Sequence, residues 1–329
     1  CRPGGASRGR TAGRLTASGF APPGRSAGLR VKPNHKLVKR LITGATRRSG
    51  LPVIVRRTVG RRRVAILLYH DPSPETFAAH MQYVKRHHTF ISLACVVDAL
   101  TARQWHTVPD NGVVVTFDDG RRGNYALLSL FKRYDVHPTI YVCTSVVGTD
   151  RHFWQDGPNR EDLKRLPHRE RIALLATTGF TLTDAFPESR TALSREEVAE
   201  MGEWVDFQCH TRFHPILTTC DDEMAREEVT GSRLELRDLS GAVGEHFAFP
   251  NGDFADREIR LVRDAGFRSA RTINVGWTSR RSDPYELRIM GVDDIASVDE
   301  VAADLCGFGF VRYLRYGNLR GVRPIVTAA

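Results

Sequence analysis

Two adjacent carboxylates follow a largely apolar run of residues about one third of the way along the chain. Residues 113–117, Val-Val-Val-Thr-Phe, lead directly into Asp118, Asp119 and Gly120. An unbroken run of β-branched and aromatic residues is typical of a buried parallel strand, and such strands end at the mouth of an α/β enzyme. Two ionised acids in a partly buried mouth repel one another, and a cation between them or a proton on one usually relieves this repulsion. An ordinary Asp-Asp-Gly turn is the alternative.

Two histidines, four residues apart, form a second candidate group. His210 and His214 follow a short apolar segment, residues 204–207, which we predict to be a strand. Their spacing places both imidazoles on one side of a single turn, and one carboxylate with two histidines is a common open metal site. The strand-like residues 247–252 strengthen the prediction of a metal centre. Cys209 could be proposed as a further ligand, but in a strand it would point away from the face that His210 uses, which favours core packing.

At these residues the sequence resembles the polysaccharide deacetylase family, the NodB-like carbohydrate esterases that remove acetyl groups from N-acetylated sugars. Residues 116–120 are similar to the first motif of the family, residues 210–215 to the second and residues 247–252 to a variant of the third. The similarity extends more loosely over residues 64–316. The resemblance implies an N-acetylated glycan as the substrate. It also implies a divalent metal, Zn²⁺ first with Co²⁺ or Ni²⁺ as alternatives, on Asp119, His210 and His214, and Asp118 as the general base.

The acid that protonates the departing amine is missing from its usual place. In most of the family it is a histidine in a Leu-x-His motif near the carboxyl end, and this chain has no histidine after His246. Residues 68–70, Leu-Tyr-His, have the same Leu-x-His pattern at the end of the first predicted strand. The first and last strands of a closed barrel are neighbours, so a histidine on the first strand can occupy the place of one on the last. This order resembles the permuted biofilm poly-N-acetylglucosamine deacetylases and implies that His70 is the general acid. A strand-end histidine without a catalytic role is the alternative.

The third motif departs from the family pattern at two positions. The arginine that usually pairs with the base and the tyrosine near the oxyanion correspond here to Ala248 and Asn251. Loss of the arginine leaves Asp118 without a salt bridge unless another cation takes its place, and Arg288 is the candidate. The tyrosine contributes through its backbone in the family, so Asn251 is expected to stabilise the oxyanion in the same way.

Strands and helices alternate from residue 64 onward, which predicts an α/β protein with a closed (β/α) barrel. The resemblance implies a distorted form with seven strands. We predict further strands and helices over the following ranges: strands 64–69, 139–143, 246–249, 267–271 and 286–290; helices 74–86, 93–100, 124–134, 221–236, 256–265 and 298–305. Ser194 and Glu197 have the spacing of a capping box at the start of one more helix.

Residues 148–192 interrupt this alternation with glycine, proline and charged residues around a short helix predicted over residues 163–176. An insertion of this kind at the mouth of a barrel is often a wall or a lid of the site. Trp154 lies within it. The sequence leaves open whether this side chain stacks on a sugar ring or packs in the core.

The basic charge of the chain is concentrated at its start. The 329 residues carry a formal net charge of +10, and residues 1–63 contain 17 Lys and Arg and no acidic residue. The remainder has 31 basic and 38 acidic residues, a net charge of −7, which argues against a specific nucleic-acid groove in the barrel. We predict a disordered basic tail over residues 1–60 and a deacetylase-like barrel domain over residues 61–329. The tail could contact an anionic membrane surface weakly, or be a solvated extension.

No segment of the sequence has the apolar length of a membrane helix or of an export signal, which predicts a cytoplasmic location. Six cysteines without paired spacing predict free thiols. The leading hypothesis is a metal-dependent hydrolase that removes N-acetyl groups from an amino-sugar polysaccharide or oligosaccharide. A catalytically silent carbohydrate-binding or scaffold protein of the same fold is the alternative, because the third motif is altered. The oligomeric state is left open.

Overall fold

The computed structural model describes residues 35–157 and 160–308. The strands in this part of the chain are β1 (Val64–Tyr69), β2 (Thr89–Phe90), β3 (Gly112–Phe117), β4 (Thr139–Val142), β5 (Asp206–Cys209), β6 (His246–Ala248), β7 (Ser269–Val275) and β8 (Leu287–Gly291). The α-helices are α1 (His35–Arg48), α2 (Leu51–Arg57), α3 (Pro74–His87), α4 (Leu93–Thr101), α5 (Leu128–Tyr134), α6 (Arg160–Leu163), α7 (His168–Thr177), α8 (Arg195–Met201), α9 (Asp222–Ser240), α10 (Asp256–Asp264) and α11 (Val298–Leu305).

Seven parallel strands close into a barrel. Their order is β1, β8, β7, β6, β5, β4 and β3, and β3 pairs back onto β1, while the two-residue β2 pairs with the start of β3. Every residue of β1 and of β3 is buried, because strands that are covered on both faces are apolar along their whole length. The predicted distorted, seven-stranded (β/α) barrel is confirmed.

Most predicted elements are present, with boundaries that differ by a few residues. β1 and α11 have the predicted bounds, and Ser194 with Glu197 forms the predicted capping box at the start of α8. The helix predicted over residues 163–176 is divided into α6 and α7. Pro167 precedes α7, and because a proline disfavours helical geometry in the residue before it, the helix is interrupted there.

Helices α1 and α2 lie inside the segment that the sequence predicted to be a disordered tail up to residue 60. The prediction is therefore corrected over residues 35–57, and residues 1–34 lie outside the described residues. The side of α1 that is buried against the protein carries small and polar residues, Thr43, Gly44 and Thr46. A search for apolar residues could not find this contact.

The two ends of the barrel have different coverings. At the starts of the strands, Val55 and Gly60 lie beside Ala65 and Gly112, so α2 and the turn after it cover this end. The carboxyl ends of the strands open into a cavity at the other end. None of the helices in residues 35–157 and 160–308 combines the length and the apolar character needed to cross a membrane.

Candidate active site

The carboxyl ends of β3 and β5 bring Asp119, His210 and His214 together. The Nε2 atoms of His214 and His210 lie 3.4 and 3.7 Å from Oδ1 of Asp119. All three side chains are buried, and one ligand atom from each lies within 4.8 Å of the others. Oδ1 of Asp119 has no hydrogen-bond partner among the described residues. Since buried oxygens are normally paired, this oxygen and the two facing nitrogens fit a divalent cation.

A hydrogen bond behind the cluster sets the direction of His210. Its Nδ1 lies 2.8 Å from the carbonyl oxygen of Ala248. A carbonyl only accepts, so Nδ1 is the donor and Nε2 turns its lone pair toward Asp119. Burial lowers the pKa of His210 and lowers that of His214 to about 3. Both imidazoles are therefore neutral, which is the form that binds metal.

Arg121 holds the second oxygen of Asp119. Its Nε and Nη2 atoms lie 2.9 and 2.8 Å from Oδ2 of Asp119, while Nη1 lies 2.7 Å from both carboxylate oxygens of Asp156. Burial alone would raise the pKa of Asp119, but the guanidinium of Arg121 offsets it and holds this pKa well below its ordinary value. Asp119 is therefore ionised and offers the cluster one free oxygen. Arg121 was not among the site residues predicted from the sequence, although it lies only two residues after Asp119.

Asp118 is paired with Arg271 of β7. Nη2 of Arg271 lies 2.5 Å from both carboxylate oxygens, and both side chains are buried. Arg271 is also the residue opposite Ala248 in the ladder between β6 and β7. Ala248 stands on β6 where the family usually has an arginine. Arg271, on the neighbouring strand β7 and at the same level of the barrel, supplies the guanidinium instead. The prediction that Arg288 pairs with Asp118 is wrong. The feature of the sequence that could have identified Arg271 is its position as a charged residue within the buried strand Ser269–Val275.

His70 lies directly after β1, beside the end of β3. The backbone N–H of Asp118 donates to the carbonyl oxygen of Tyr69 at 3.0 Å, which keeps the two strand ends together. The backbone of His70 is fixed on both sides: its carbonyl accepts from Asn124 Nδ2 at 2.8 Å and its N–H donates to Asp294 Oδ1 at 3.2 Å. His70 is exposed and lines the same cavity as the two acids.

Asn251 lines the cavity with a left-handed backbone, at a φ of 57°. Its side-chain Nδ2 donates to Asp253 Oδ2 at 2.6 Å, which holds this side chain beside the residue two positions further on. Asp119, Thr211 and His214 also have positive φ. Non-glycine residues adopt this conformation at a cost, and such residues concentrate where a site requires a particular backbone direction.

The turn between the two histidines is anchored to α9. Oε2 of Glu228 accepts the backbone N–H groups of Arg212 and Phe213 at 2.8 and 3.0 Å. Burial raises the pKa of Glu228 to about 7, although these two hydrogen bonds act in the opposite direction. The anchor fixes the backbone between His210 and His214.

The cavity above the cluster has a volume of about 490 Å³ and a polar rim. The segment 148–192 supplies part of its wall, which confirms the predicted wall of the mouth. The rim residues outside the cluster include Asp71, Gln155, Asp156, Arg160, Lys164 and Asp294. Polar side chains of these types can form hydrogen bonds with the hydroxyl groups of a sugar.

Trp154 belongs to the core and not to the cavity. Its ring is 1% exposed, and its Nε1 donates to the carbonyl oxygen of His214 at 2.9 Å. The alternative that Trp154 stacks on a sugar ring is therefore wrong. Its hydrogen bond instead supports the turn that carries His210 and His214. Cys209 is also buried and lies outside the cluster, as predicted. The five cysteines in the described residues, Cys95, Cys143, Cys209, Cys220 and Cys306, are free thiols.

Several solved structures share this fold. The deacetylase PplD from Streptococcus pyogenes, solved in complex with acetate, matches with a TM-score of 0.56 and 20% identity, over 74% of this chain and 98% of that one. IcaB from Ammonifex degensii matches with a TM-score of 0.55 and 20% identity, over 74% and 97%. A de-N-acetylase from Aggregatibacter actinomycetemcomitans matches with a TM-score of 0.53 and 16% identity, over 74% and 99%. At these identities the likeness shows the fold.

Comparison with curated protein sequences gave no match. The sequence profile of the family described as polysaccharide deacetylase matches residues 106–270, half of the chain. This range contains the acidic strand end, both histidines of the cluster and the altered third motif. The chain therefore belongs to the polysaccharide deacetylase family, whose members are hydrolases that act on carbon–nitrogen bonds.

Proposed function

We propose that the protein removes N-acetyl groups from an amino-sugar polysaccharide or oligosaccharide, with a divalent cation on Asp119, His210 and His214. One observation carries the proposal: the buried oxygen of Asp119 without a partner faces two neutral imidazole nitrogens. Two nitrogens and one carboxylate oxygen are the ligands of many open zinc sites, so Zn²⁺ is the proposed ion. Co²⁺ and Ni²⁺ accept the same donors.

Such an ion, when bound, polarises the acetyl carbonyl and lowers the pKa of water toward neutrality. Asp118 is proposed to take the proton of the attacking water, since its Oδ2 lies 3.7 Å from His210 Nε2 and borders the cavity. Arg271 fixes the direction of this carboxylate. The backbone N–H of Asn251 is proposed to donate to the oxyanion. His70 then protonates the amine nitrogen as the carbon–nitrogen bond breaks, which gives acetate and a free amino sugar.

Acetate release from N-acetylglucosamine oligomers tests the proposal, after metal is removed by a chelator and Zn²⁺, Co²⁺ or Ni²⁺ is added back. Asp119→Ala, His210→Ala and His214→Ala should each lose both activity and bound metal, because three ligands leave none to spare. Asp118→Asn should keep the metal and lose about a hundredfold or more in rate. Near-full turnover of Asp118→Asn with metal bound would contradict its role as the base.

The role of His70 requires a different comparison. His70→Gln should lower turnover of the amide substrate while metal content and the melting temperature stay unchanged. An activated ester needs little protonation of its leaving group, so its hydrolysis should suffer much less. Equal losses on amide and ester, or no loss on either, would remove His70 from the mechanism.

The second candidate, a catalytically silent glycan-binding protein, was motivated by the altered third motif. The ion pair between Asp118 and Arg271 weakens the argument for a silent protein, since the proposed base has a guanidinium partner from β7. Oligosaccharide binding without acetate release under all three metal ions would favour the silent protein.

A further inference from the structure

Helices α1 and α2 and the turn after them turn most of the large apolar side chains described in residues 39–60 outward. Five of the nine large apolar side chains that are most exposed in the described residues lie in this segment. Their exposed fractions are Leu41 64%, Ile42 46%, Val53 40%, Ile54 59% and Val59 49%. In an ordinary surface helix the apolar stripe faces the protein. Over residues 39–48, where its side chains are described, α1 has the opposite arrangement, because the buried positions there are threonine and glycine.

Polar and small residues attach α1 to the barrel domain. Nη1 of Arg47 lies 2.7 Å from Asp299 Oδ1, and Lys39 forms an ion pair with Glu300, both partners being on α11. Gly44 permits the close approach, since a Cβ atom there would lie 3.2 Å from Asp299 Oδ2. The outward apolar side chains therefore take no part in holding α1 in place, and they stay displayed at a fixed position.

The same surface is strongly basic. Residues 35–63 contain ten Lys and Arg and no acidic residue. Arg40, Arg48 and Arg57 are exposed and have no acidic partner in the described part of the chain. We call these three arginines together with Leu41, Ile42, Val53, Ile54 and Val59 the basic apolar face.

We propose that the basic apolar face docks on the surface of an anionic lipid bilayer. Apolar side chains surrounded by arginine are the composition of helices that lie in the plane of a membrane interface. The apolar side chains would enter the boundary between headgroups and acyl chains, while the guanidinium groups pair with lipid phosphates. Nucleic acid would account for the charge but would leave five exposed apolar side chains without a role.

The position of this face gives the bound protein a direction. α2 covers the end of the barrel where β1 and β3 begin, whereas His70 and the two acids follow the ends of the same strands. If the protein binds the bilayer through α2, the active-site cavity at the opposite end of the barrel lies on the side away from the lipid. The cavity then faces a polymer in the aqueous phase.

Sedimentation of the full chain with vesicles tests the proposal. Vesicles of phosphatidylcholine with about 30% phosphatidylglycerol should bind the protein about tenfold more tightly than phosphatidylcholine alone, with a loss at high salt. Leu41→Ser with Ile54→Ser should weaken binding about tenfold or more, and Arg40→Glu with Arg57→Glu should weaken it by a similar factor. Leu234→Ser with Val243→Ser is the matched control, since these side chains are 72% and 60% exposed elsewhere on the surface. The control should bind as the wild type does.

Three results would overturn the proposal. The first is no preference of the wild type for anionic vesicles at low salt. The second is unchanged binding of the Leu41 and Ile54 double variant, which would assign the binding to basic residues outside the face. The third is a concentration-dependent dimer that this variant abolishes while vesicle binding is absent, which would make the face a contact between two copies. Thermal melts and acetate release from soluble oligomers check that each variant is folded.

Discussion

The buried ion pair between Asp118 and Arg271 predicts a large loss of stability when one partner is removed alone. In Arg271→Met a side chain of similar length fills the space, but Asp118, which is 5% exposed, loses its counter-charge. Breaking a buried pair in this way costs about 3–5 kcal/mol. Because Asp118 borders a cavity that water can enter, we expect the lower end, about 3 kcal/mol. For a chain of this size, with an unfolding entropy of about 0.7 kcal/mol/K, the melting temperature should fall by about 4–5 °C.

A double-mutant cycle isolates the interaction of the two side chains. Asp118→Asn leaves Arg271 without a counter-ion, whereas the double variant Arg271→Met with Asp118→Asn buries no charge at this place. The two single losses should therefore exceed the loss in the double variant by about 2–3 kcal/mol. Denaturant unfolding of the four metal-free proteins gives this coupling energy. Arg288→Met is the control, since it removes a guanidinium from β8 that does not contact Asp118, and it should cost less than about 1 kcal/mol.

Two results would refute this reasoning. One is a coupling energy within about 0.5 kcal/mol of zero, which is the additivity expected of distant and independent sites. The other is a melting temperature of Arg271→Met within about 2 °C of the wild type. Either result would mean that Asp118 does not depend on Arg271 for its charge balance.

Three further predictions concern the supports of the site. Asp156→Asn removes one of the two carboxylates that hold Arg121, and affinity for Zn²⁺ should fall about tenfold in a chelator competition. The pKa of Glu228 is raised from 4.5 to about 7, so wild-type stability should decline as the pH rises across that interval; Glu228→Gln should remove the decline in thermal melts. Trp154→Phe removes the hydrogen bond to the carbonyl of His214, so the free energy of unfolding should fall by about 1 kcal/mol with KM for the oligosaccharide unchanged.

The sequence predicted the barrel and the metal cluster because both leave local patterns. Apolar strands alternate with amphipathic helices, two acids follow the end of a strand, and His210 with His214 share one turn; the family resemblance implied Asp119 as the ligand. Each of these patterns lies within a few consecutive residues. The elements that carry these residues are also placed by the rule that parallel strands end at one mouth.

The partner of Asp118 could not be predicted in the same way, because it depends on the register between β6 and β7. A shift of one residue turns every side chain of a strand to the other face, and local sequence does not fix that register. Helix α1 was missed for another reason. Its contacts with α11 include two ion pairs and the close approach of Gly44 to Asp299, and within residues 39–48 no large apolar residue is buried that would identify the helix.

Asp118 and Arg271 are separated by 153 positions of the chain. The ribosome therefore produces Asp118 long before it produces the arginine that pairs with it. Asp119, His210 and His214 are translated before β7, so a ribosome that has reached residue 268 has produced all three proposed metal ligands. It has not yet produced the guanidinium that orients Asp118, nor the strands that close the barrel between β6 and β1. We therefore expect a stalled or truncated chain to lack the ion pair that orients Asp118, the proposed base, and to expose two open strand edges, which are sites of aggregation. Hydrolysis can begin only after translation has delivered the last two strands.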